Sequence, residues 1–321
     1  MAEVAVGCGA KDLYGNWISF MCFNLGATNQ TIASQKSTNI PLTLVDAANN
    51  YYLHSANERS TYGDLFQWGR IADGHENRNA IQEGSAGNVV ATDNCISWNT
   101  TTPPTYEYGN YAYETSLYGY YAPWLQVTRG TSYYGKFIKT IVANEYNWYV
   151  GNKNDADLLW RESSFAYNDP CAKVNTATGT VPSGNTPDWY PAAGGTVSNS
   201  GWRLPNQLDW SSLYRGGIIA GTPDEAYANN WTWYQLNATA TEGAKGYEIK
   251  PDGATTTLFL PASGHRQQPT GLLMYEGSVG LYWSGSVRDE YSYLLMFFDN
   301  IINPVAANFR GVGYALRCVK N

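Results

Sequence analysis

The sequence predicts an α+β fold with small sheets, few helices and long loops. One segment has the pattern of a helix, and several short runs of β-branched and aromatic residues have the pattern of strands. The stretches between them are rich in glycine, asparagine and tyrosine. Only 15% of the 321 residues are charged, whereas there are 32 Gly, 26 Tyr and 12 Trp. This composition is typical of a loop-rich extracellular protein.

The first half of the chain contains two recognisable elements and a long polar stretch. Residues 16–26 are predicted as a strand that ends at a glycine turn. Residues 62–70 form a short buried element, and its periodicity fits a strand or a helix equally well. Residues 76–165 are rich in turn residues and tyrosine. Because a structureless loop of this length is improbable in a compact domain, we expect this stretch to carry local structure or to pack on a partner.

The second half contains the strongest helical pattern, in residues 201–217, after a further loop-like stretch at residues 172–200. Asn206 can cap this helix and Gly216 can end it. Leu208, Trp210 and Leu213 recur at helical spacing. Four short strands follow, at residues 258–261, 280–284, 293–298 and 314–319. We therefore predict a single domain over residues 1–321, with insertions at about 76–165 and 172–200.

The charge of the chain excludes some partners. The formal net charge is -7, and phosphate binding needs clustered Lys and Arg, so nucleic acid is not expected as a partner. No apolar run approaches the length that crosses a bilayer, so we expect no membrane insertion. The start of the chain lacks the regions of a signal peptide, which suggests either a mature fragment or export by another route.

Five cysteines are scattered along the chain without a Cys-x-x-Cys pair, so a zinc cluster is not expected. They are Cys8, Cys22, Cys95, Cys171 and Cys318. An odd number leaves at least one thiol free. In an oxidising compartment, the expected disulfide joins Cys171 to Cys318 and ties the middle of the chain to its last strand.

Six motifs, in order, resemble the Fibrobacter succinogenes major paralogous domain family, which is common in surface proteins of Bacteroidetes. They lie at residues 20–26, 62–70, 168–171, 201–205, 282–284 and 316–319. The segment from Trp202 through residue 217, closed by Arg317 and Cys318, is also similar to the formylglycine-generating enzyme superfamily. This resemblance implies a C-type-lectin-like fold, in which a terminal strand pair and its loops display a ligand-binding surface.

The enzymes that this resemblance suggests need residues that the chain lacks. Formylglycine generators use two neighbouring cysteines late in the chain to bind copper, but only Cys318 lies beyond Cys171. Ergothioneine-type relatives use a histidine cluster to hold iron, whereas His54, His75 and His265 are dispersed. We therefore expect no catalytic residues, no metal and no cofactor.

General catalytic arrangements are equally weak. Asp64 with Asp73 is a candidate carboxylate pair, and Ser263 with His265 is a candidate nucleophile and base. Their spacing provides neither a shared face nor a third orienting group, so we expect structural roles for all four. Residues 268–270 come closest to the calcium loop of sugar-binding C-type lectins, but the second half of that motif is absent, so calcium-dependent sugar binding is not expected.

The C-terminal forty residues combine expected fold-stabilising positions with a candidate binding face. Trp283, Arg310, Gly313, Arg317 and Cys318 are expected to stabilise the fold. Tyr293, Leu295 and Phe297 are expected to alternate into the core. Residues 303–313 are predicted as a loop in which apolar residues replace the polar ones of related domains, and such patches mark interaction sites. The candidate ligand-binding residues are Arg288, Asp289, Tyr291, Asp299, Asn300, Ile301, Val305, Ala306, Ala307, Asn308, Phe309 and Val312.

This face also resembles the variable region of diversity-generating retroelement proteins, which share the fold. Their randomised asparagine codons cannot become Lys, Glu, Gln, Met or Trp, and residues 297–317 contain none of the five. The resemblance implies a protein or glycan ligand on another cell or phage host, bound at a bacterial surface, pilus or phage tail. Two alternatives remain: an enzyme on the same fold acting on polysaccharide or cysteine, and a structural subunit of a surface assembly.

Overall fold

The structure is a computed structural model of the chain. It describes residues 7–38, 40, 43–46, 51–53, 56–78, 82–83, 89–90, 95–97, 101, 106–109, 124–128, 130–139, 148, 157, 159–160, 168–173, 200–214, 220–226, 228–236, 244–268 and 270–321. Most of the predicted insertions at 76–165 and 172–200, and Gly216 with them, lie outside these residues. Of their parts that are described, Tyr133 packs into the core.

The described residues form three α-helices and 22 short strands, which confirms the predicted α+β class with few helices. The helices are α1 (Ile32–Ser37), α2 (Ala56–Tyr62) and α3 (Gln207–Tyr214). The strands are β1 (Gly9–Lys11), β2 (Trp17–Ser19), β3 (Thr43–Asp46), β4 (Tyr51–Leu53), β5 (Phe66–Gln67), β6 (Gln82–Glu83), β7 (Val89–Val90), β8 (Cys95–Ser97), β9 (Tyr106–Gly109), β10 (Trp124–Val127), β11 (Phe137–Lys139), β12 (Trp202–Arg203), β13 (Asn230–Gln235), β14 (Lys245–Lys250), β15 (Leu258–Pro261), β16 (His265–Arg266), β17 (Leu273–Met274), β18 (Gly280–Arg288), β19 (Tyr291–Phe297), β20 (Ile302–Phe309), β21 (Gly313–Tyr314) and β22 (Val319–Lys320). None of the helices in this part of the chain has the length and apolar character that crossing a membrane requires.

The sheets are small and, as predicted, almost entirely antiparallel. The largest has four strands in the order β17-β16-β21-β5, and two three-stranded sheets have the orders β13-β14-β15 and β18-β19-β20. Among the described residues, the strand pair β8 with β11 and the isolated bridge Tyr282↔Ala315 are parallel. The sheet β18-β19-β20 contains most of the candidate binding residues, so its surroundings determine what the site can do.

Helix α3 begins where the sequence predicts. The side-chain oxygen Oδ1 of Asn206 accepts a hydrogen bond from the Asp209 amide at 2.7 Å, and Oδ2 of Asp209 accepts one from the Asn206 amide at 2.7 Å. This reciprocal arrangement satisfies two helix-terminal amides. Trp210 and Leu213 are fully buried, but the prediction that Leu208 shares their face is wrong, because this side chain is 67% exposed. Residues two apart on a helix point about 200° apart, so Leu208 lies opposite Trp210.

Two hydrophobic cores lie on either side of the sheet β18-β19-β20. One contains Leu294 with Trp68 and Trp283, and the other contains Leu295 and Phe297. Helix α3 and the strand pair β13-β14 contribute large side chains to the second core: Trp210, Leu213, Tyr214, Trp231 and Tyr247. Because both sides of its middle are buried, this sheet is a rigid platform for the residues at its ends.

The C-terminal strands differ from the sequence expectation in two places. Residues 303–313 were predicted as a loop, but most of them belong to β20, which pairs with β19 from Phe297↔Ile302 to Tyr291↔Phe309. The predicted strand at 314–319 is divided into β21 and β22. Between them, the Leu316 and Cys318 carbonyls accept hydrogen bonds from the Leu25 and Met21 amides. The final segment is therefore fixed by long-range contacts rather than by a regular strand.

Cross-links and buried polar groups fix the same end of the chain. Disulfides join Cys171 to Cys318, as expected, and Cys8 to Cys22. Cys95 has a free thiol. The fully buried guanidinium of Arg317 donates to Oδ1 of Asn24 at 2.8 Å, to the Met21 carbonyl and to the Phe259 carbonyl. We call Trp283, Arg317 and the Cys171–Cys318 disulfide the C-terminal frame.

Candidate functional site

One end of the sheet β18-β19-β20 presents a half-exposed group of aromatic side chains. Arg288 is paired with Tyr291, and Tyr291 is paired with Phe309. Two residues further along, Tyr293 is paired with Ala307. Directly opposed residues, and residues two apart on a strand, share a face of the sheet. These five residues therefore form one surface, which we call the tyrosine face.

Ring contacts organise the tyrosine face. The ring centroids of Tyr291 and Phe309 are 4.6 Å apart, and the planes are tilted by 49°. The guanidinium carbon of Arg288 lies 6.0 Å from the ring centroid of Tyr293. Such aromatic and cation–π contacts each contribute about 0.5–1 kcal/mol at partly exposed positions. The rings are thus partly ordered before any ligand arrives, yet each keeps an accessible side.

The buried side chain of Arg310 stabilises the backbone beneath the tyrosine face. Its Nη2 atom donates to the carbonyls of Asp289 at 3.2 Å and Tyr291 at 3.3 Å, and it forms an ion pair with Asp157. Its Nε atom donates to the Ser292 hydroxyl at 3.1 Å. The side chain is 4% exposed. The buried arginine therefore fixes the backbone of the β18–β19 turn, which lowers the entropy lost when a ligand binds.

The β18–β19 turn gives the face a mixed charge. It consists of two residues, Asp289 and Glu290, because Arg288 pairs directly with Tyr291. Asp289 has a φ of 52°, a left-handed conformation that aspartate adopts more readily than most residues. Arg288, Asp289 and Glu290 are all exposed. A ligand at this end would meet one cation, two carboxylates and the aromatic rings together.

Three predicted contact residues lie far from the tyrosine face. Asp299, Asn300 and Ile301 are exposed in the turn between β19 and β20. The strand β19 separates this turn from Tyr291 by about 20 Å, given a rise of about 3.3 Å per residue. The Asp299 carbonyl also accepts a hydrogen bond from Tyr247 at 2.9 Å. The sequence expectation of one continuous contact region is wrong, since the structure separates it into two patches.

Other predicted contacts point inward. Val312 is buried, so its assignment as a contact residue is wrong. Ala306 packs against the core that contains Leu294. The Nδ2 atom of Asn308 donates to the Tyr314 hydroxyl at 2.5 Å, while its Oδ1 atom accepts from the Phe309 amide. These side chains alternate with the tyrosine face along β20. Val305, before them on the same strand, is half-exposed.

Tyr293 belongs to the tyrosine face, although its alternation with Leu294 predicted a core position. It was expected in the core with Leu295 and Phe297, and those two are indeed fully buried. All three lie on the same side of β19, but Tyr293 is only half-buried. Around Phe297, the rings of Trp233, Tyr247 and Tyr282 cover the sheet. The alternating pattern predicted the side of β19 correctly. Exposure along that side depends on where other aromatic rings pack on the sheet.

The candidate carboxylate pair has structural partners. Both Asp64 oxygens accept hydrogen bonds from Arg59, at 2.8 and 2.9 Å. Asp73 accepts from Arg70 at 2.5 Å and contacts Nδ1 of His75 at 2.7 Å. Burial alone would raise the pKa of Asp73, but Arg70 and His75 hold that pKa well below its ordinary value. Each carboxylate therefore belongs to a separate ion pair.

Asp73, His75 and Glu76 are also close enough to one another to be considered as metal ligands. The Nε2 atom of His75 accepts a hydrogen bond from the Gln67 amide at 3.0 Å. The Nδ1 atom therefore carries the proton and faces the two carboxylates, so neither ring nitrogen offers a lone pair to a cation. The geometry favours a buried hydrogen-bond network that anchors β5.

The candidate pair of Ser263 and His265 does not form a nucleophile and base. Within the described part of the chain, no hydrogen bond joins the Ser263 hydroxyl to Nδ1 of His265. The His265 ring instead packs between Tyr275 and Tyr314, at centroid distances of 5.7 and 5.9 Å. Burial lowers the pKa of His265 to about 4. The side chain is thus a neutral aromatic spacer at physiological pH.

Compared with known proteins, the chain matches no family model, no curated protein and no solved structure. Its function is therefore inferred from the residues and their geometry.

Proposed function

We propose that the chain is a non-enzymatic ligand-binding domain whose contact surface is the tyrosine face. The observation that carries this proposal is the combination of half-exposed aromatic side chains with a rigid backbone beneath them. Tyrosine offers a large contact area and has few rotatable bonds to restrict, which is why binding loops of antibodies use it heavily. The ligand is a protein or glycan on another cell or phage host.

A C-type-lectin-like architecture is part of the same proposal. The residues of the six sequence motifs support it, because they meet around the C-terminal frame. Nε1 of Trp283 donates to the Phe66 carbonyl at 2.8 Å, and Asn168 donates to the Gly69 carbonyl at 2.7 Å. Asp169 accepts hydrogen bonds from the amides of Cys171 and Leu204. Motif positions that are distant in sequence thus satisfy one another, as residues that maintain a fold should.

We also propose that the protein is displayed on a surface outside the cell. Disulfides form and persist in oxidising compartments, and the structure contains two. We place the protein outside the cell, on a bacterial surface, a pilus or a phage tail. Binding there needs no catalytic group, and the described candidates for catalysis all have structural surroundings.

Binding can be tested with arrays of glycans and of displayed cell-surface ectodomains. We expect the wild-type chain to bind at least one class of target. Tyr291→Ala combined with Phe309→Ala should weaken that binding at least tenfold, since it removes both stacked rings. Tyr275→Ala is the matched control, because Tyr275 is an exposed tyrosine that directly follows β17 and lies outside the sheet β18-β19-β20. Equal loss in both variants, or none in the first, would refute the assignment of the face.

Diversification of the face by a retroelement is a separate proposal with its own test. The coding sequence for residues 288–312 should have a near-identical, adenine-rich template repeat close to a reverse-transcriptase gene. Substitutions among clones should then concentrate at exposed positions such as Tyr291, Tyr293 and Phe309. A neighbourhood without the repeat and the enzyme would leave a binding domain that is not diversified.

A further inference from the structure

The free thiol of Cys95 lies on the parallel strand pair β8-β11, on a side of that pair that also carries a lysine. Cys95 is half-exposed and is paired with Phe137, and the half-exposed Lys139 is two residues further along β11. Paired residues, and residues two apart on a strand, share one side of a sheet. The thiol, the Phe137 ring and the Lys139 side chain are therefore on the same side.

The loop after β16 packs closely against the thiol. A Cβ atom on Gly271 would lie 2.5 Å from the Cys95 sulfur and 3.1 Å from Cδ of Lys139. The Cys95 thiol also donates to the Gly271 carbonyl, at 3.8 Å. Gly271 has a φ of 73°, a left-handed conformation that favours glycine. A residue without a side chain thus allows the loop to approach both the sulfur and the lysine stem.

Arg266 brings a buried cation to the same place. Its guanidinium carbon lies 5.2 Å from the ring centroid of Phe137, the residue that pairs with Cys95. The Arg266 side chain is 1% exposed, and within the described part of the chain its Nε and Nη2 atoms have no hydrogen-bond partner. Burial lowers the pKa of Arg266, and an ionised Cys95 sulfur raises it, so the two groups are within electrostatic range. Buried donors are usually hydrogen-bonded, so these two are free to act on a group beside them.

The carboxylates near Arg266 are already paired with other arginines. Arg59 donates to both oxygens of Asp64, and Arg78 lies 3.7 Å from a carboxylate oxygen of Glu276. Among the described residues, neither of the two cations near the thiol belongs to an ion pair. The surroundings of the thiol are therefore electropositive.

We propose that Cys95 is a covalent modification site that takes small disulfides carrying carboxylates. The Cys95 thiolate attacks one sulfur of the disulfide, a new S–S bond forms to Cys95, and the S–S bond of the reagent breaks. The released thiolate takes up the proton that Cys95 lost, so the step needs no oxidant. Reactive cysteines lie in electropositive, partly exposed surroundings, whereas buried structural ones are inert. Lys139 attracts the carboxylates of the incoming disulfide, and Arg266 stabilises the thiolate.

The first experiment compares dithiodipropionate, an anionic disulfide, with cystamine, a cationic disulfide of similar size. Mass spectrometry of the intact protein follows formation of the mixed disulfide. Each rate is divided by the rate of the same disulfide with N-acetylcysteine amide, which removes differences in intrinsic reactivity. We expect a single adduct, absent from Cys95→Ser, and a normalised rate at least about tenfold higher for the anionic disulfide. No adduct on the folded wild-type chain, or equal normalised rates, would overturn the proposal.

Removal of each cation tests its role. Lys139→Gln should lower the ratio of the anionic to the cationic rate at least about threefold. The matched control is Lys320→Gln, which removes the same charge from an exposed lysine of β22, and it should leave the ratio unchanged. Arg266→Met should also lower the ratio, whereas looser packing alone would raise both rates equally.

Thermal denaturation verifies the fold of each variant. Lys139 is half-exposed, so Lys139→Gln tests the site even where the buried change Arg266→Met prevents folding. An unchanged ratio in Lys139→Gln, or in a folded Arg266→Met chain, would show that the thiol reacts without these cations and would overturn the proposed site.

Discussion

Two buried arginines, only seven positions apart, illustrate the difference between the C-terminal frame and the tyrosine face. Arg317 donates to three acceptors on segments that are distant in sequence, and every side chain around it is internal. Arg310 donates to the Asp289 and Tyr291 carbonyls at one surface turn, to the Ser292 hydroxyl and to Asp157. The first arginine joins the fold together, and the second holds a surface in position. Substitutions in the frame should therefore alter stability, whereas substitutions on the face should alter binding alone.

The largest expected effect is the loss of the Arg317 guanidinium. Arg317→Leu leaves three buried acceptors without a donor, and each unsatisfied group costs about 1–3 kcal/mol, so we expect a loss of about 5 kcal/mol in the free energy of unfolding. Urea denaturation measures it. Lys320→Leu, at an exposed position of the same segment, is the control. A loss below about 1 kcal/mol would show that Arg317 does not join the frame together.

The two disulfides should differ in their contributions. The Cys171–Cys318 bond closes a sequence separation of 147 residues and the Cys8–Cys22 bond one of 14. Because a longer loop removes more entropy from the unfolded chain, we expect losses of about 5 and about 3 kcal/mol. Paired alanine variants at each bond, compared by urea denaturation, test this order. A larger loss at the Cys8–Cys22 bond would mean that local packing matters more than loop length.

A smaller effect concerns pH. Burial holds the folded-state pKa of His265 at about 4, below its ordinary value of 6.5. The unfolded chain therefore binds a proton more readily, and this group removes stability as the pH falls from 6.5 towards 4. His265→Phe should abolish that part of the pH dependence, about 1–3 kcal/mol after allowance for partial exposure.

The difference between the His265→Phe variant and the wild type is the quantity to measure. Burial raises the pKa of Asp169 to about 6, and its contribution has the opposite sign, because stability from this group increases as the pH falls through 6. Because both proteins contain Asp169, its contribution cancels in the difference between their stabilities. Parallel stability curves for the two proteins between pH 4 and 6.5 would contradict the role assigned to His265.

The smallest expected change in stability is on the tyrosine face. Tyr291→Ala with Phe309→Ala removes one half-exposed ring contact, so the free energy of unfolding should fall by about 0.5–1.5 kcal/mol beyond the burial that the rings lose. Binding should nevertheless fall at least tenfold. A destabilisation as large as that of Arg317→Leu would mean that the face belongs to the frame, and the comparison between the two regions would fail.

The sequence predicted local features well. It identified the cap of α3 at Asn206, because a capping side chain needs only its own helix. It also predicted the Cys171–Cys318 bond, although this bond joins residues that are distant in sequence. It missed β13 and β14, although apolar residues alternate with polar ones in both strands, which pair with each other and with β15.

The fold class, the helix cap and the cross-link between the middle and the end of the chain were determined by the sequence itself. Only the tertiary structure decided which C-terminal residues point outward. Tyr293, expected in the core, is half-exposed, and the Asn308 side chain, expected to contact a ligand, is bound to the Tyr314 hydroxyl, because exposure depends on which distant segments cover each part of a sheet. The same long-range packing placed Ile301 and Phe309 at opposite ends of the sheet. Only one of these ends therefore carries the tyrosine face. The pattern of polar and apolar residues determines which side of a strand a residue occupies. The elements that pack on the sheet determine which of these residues a partner can reach.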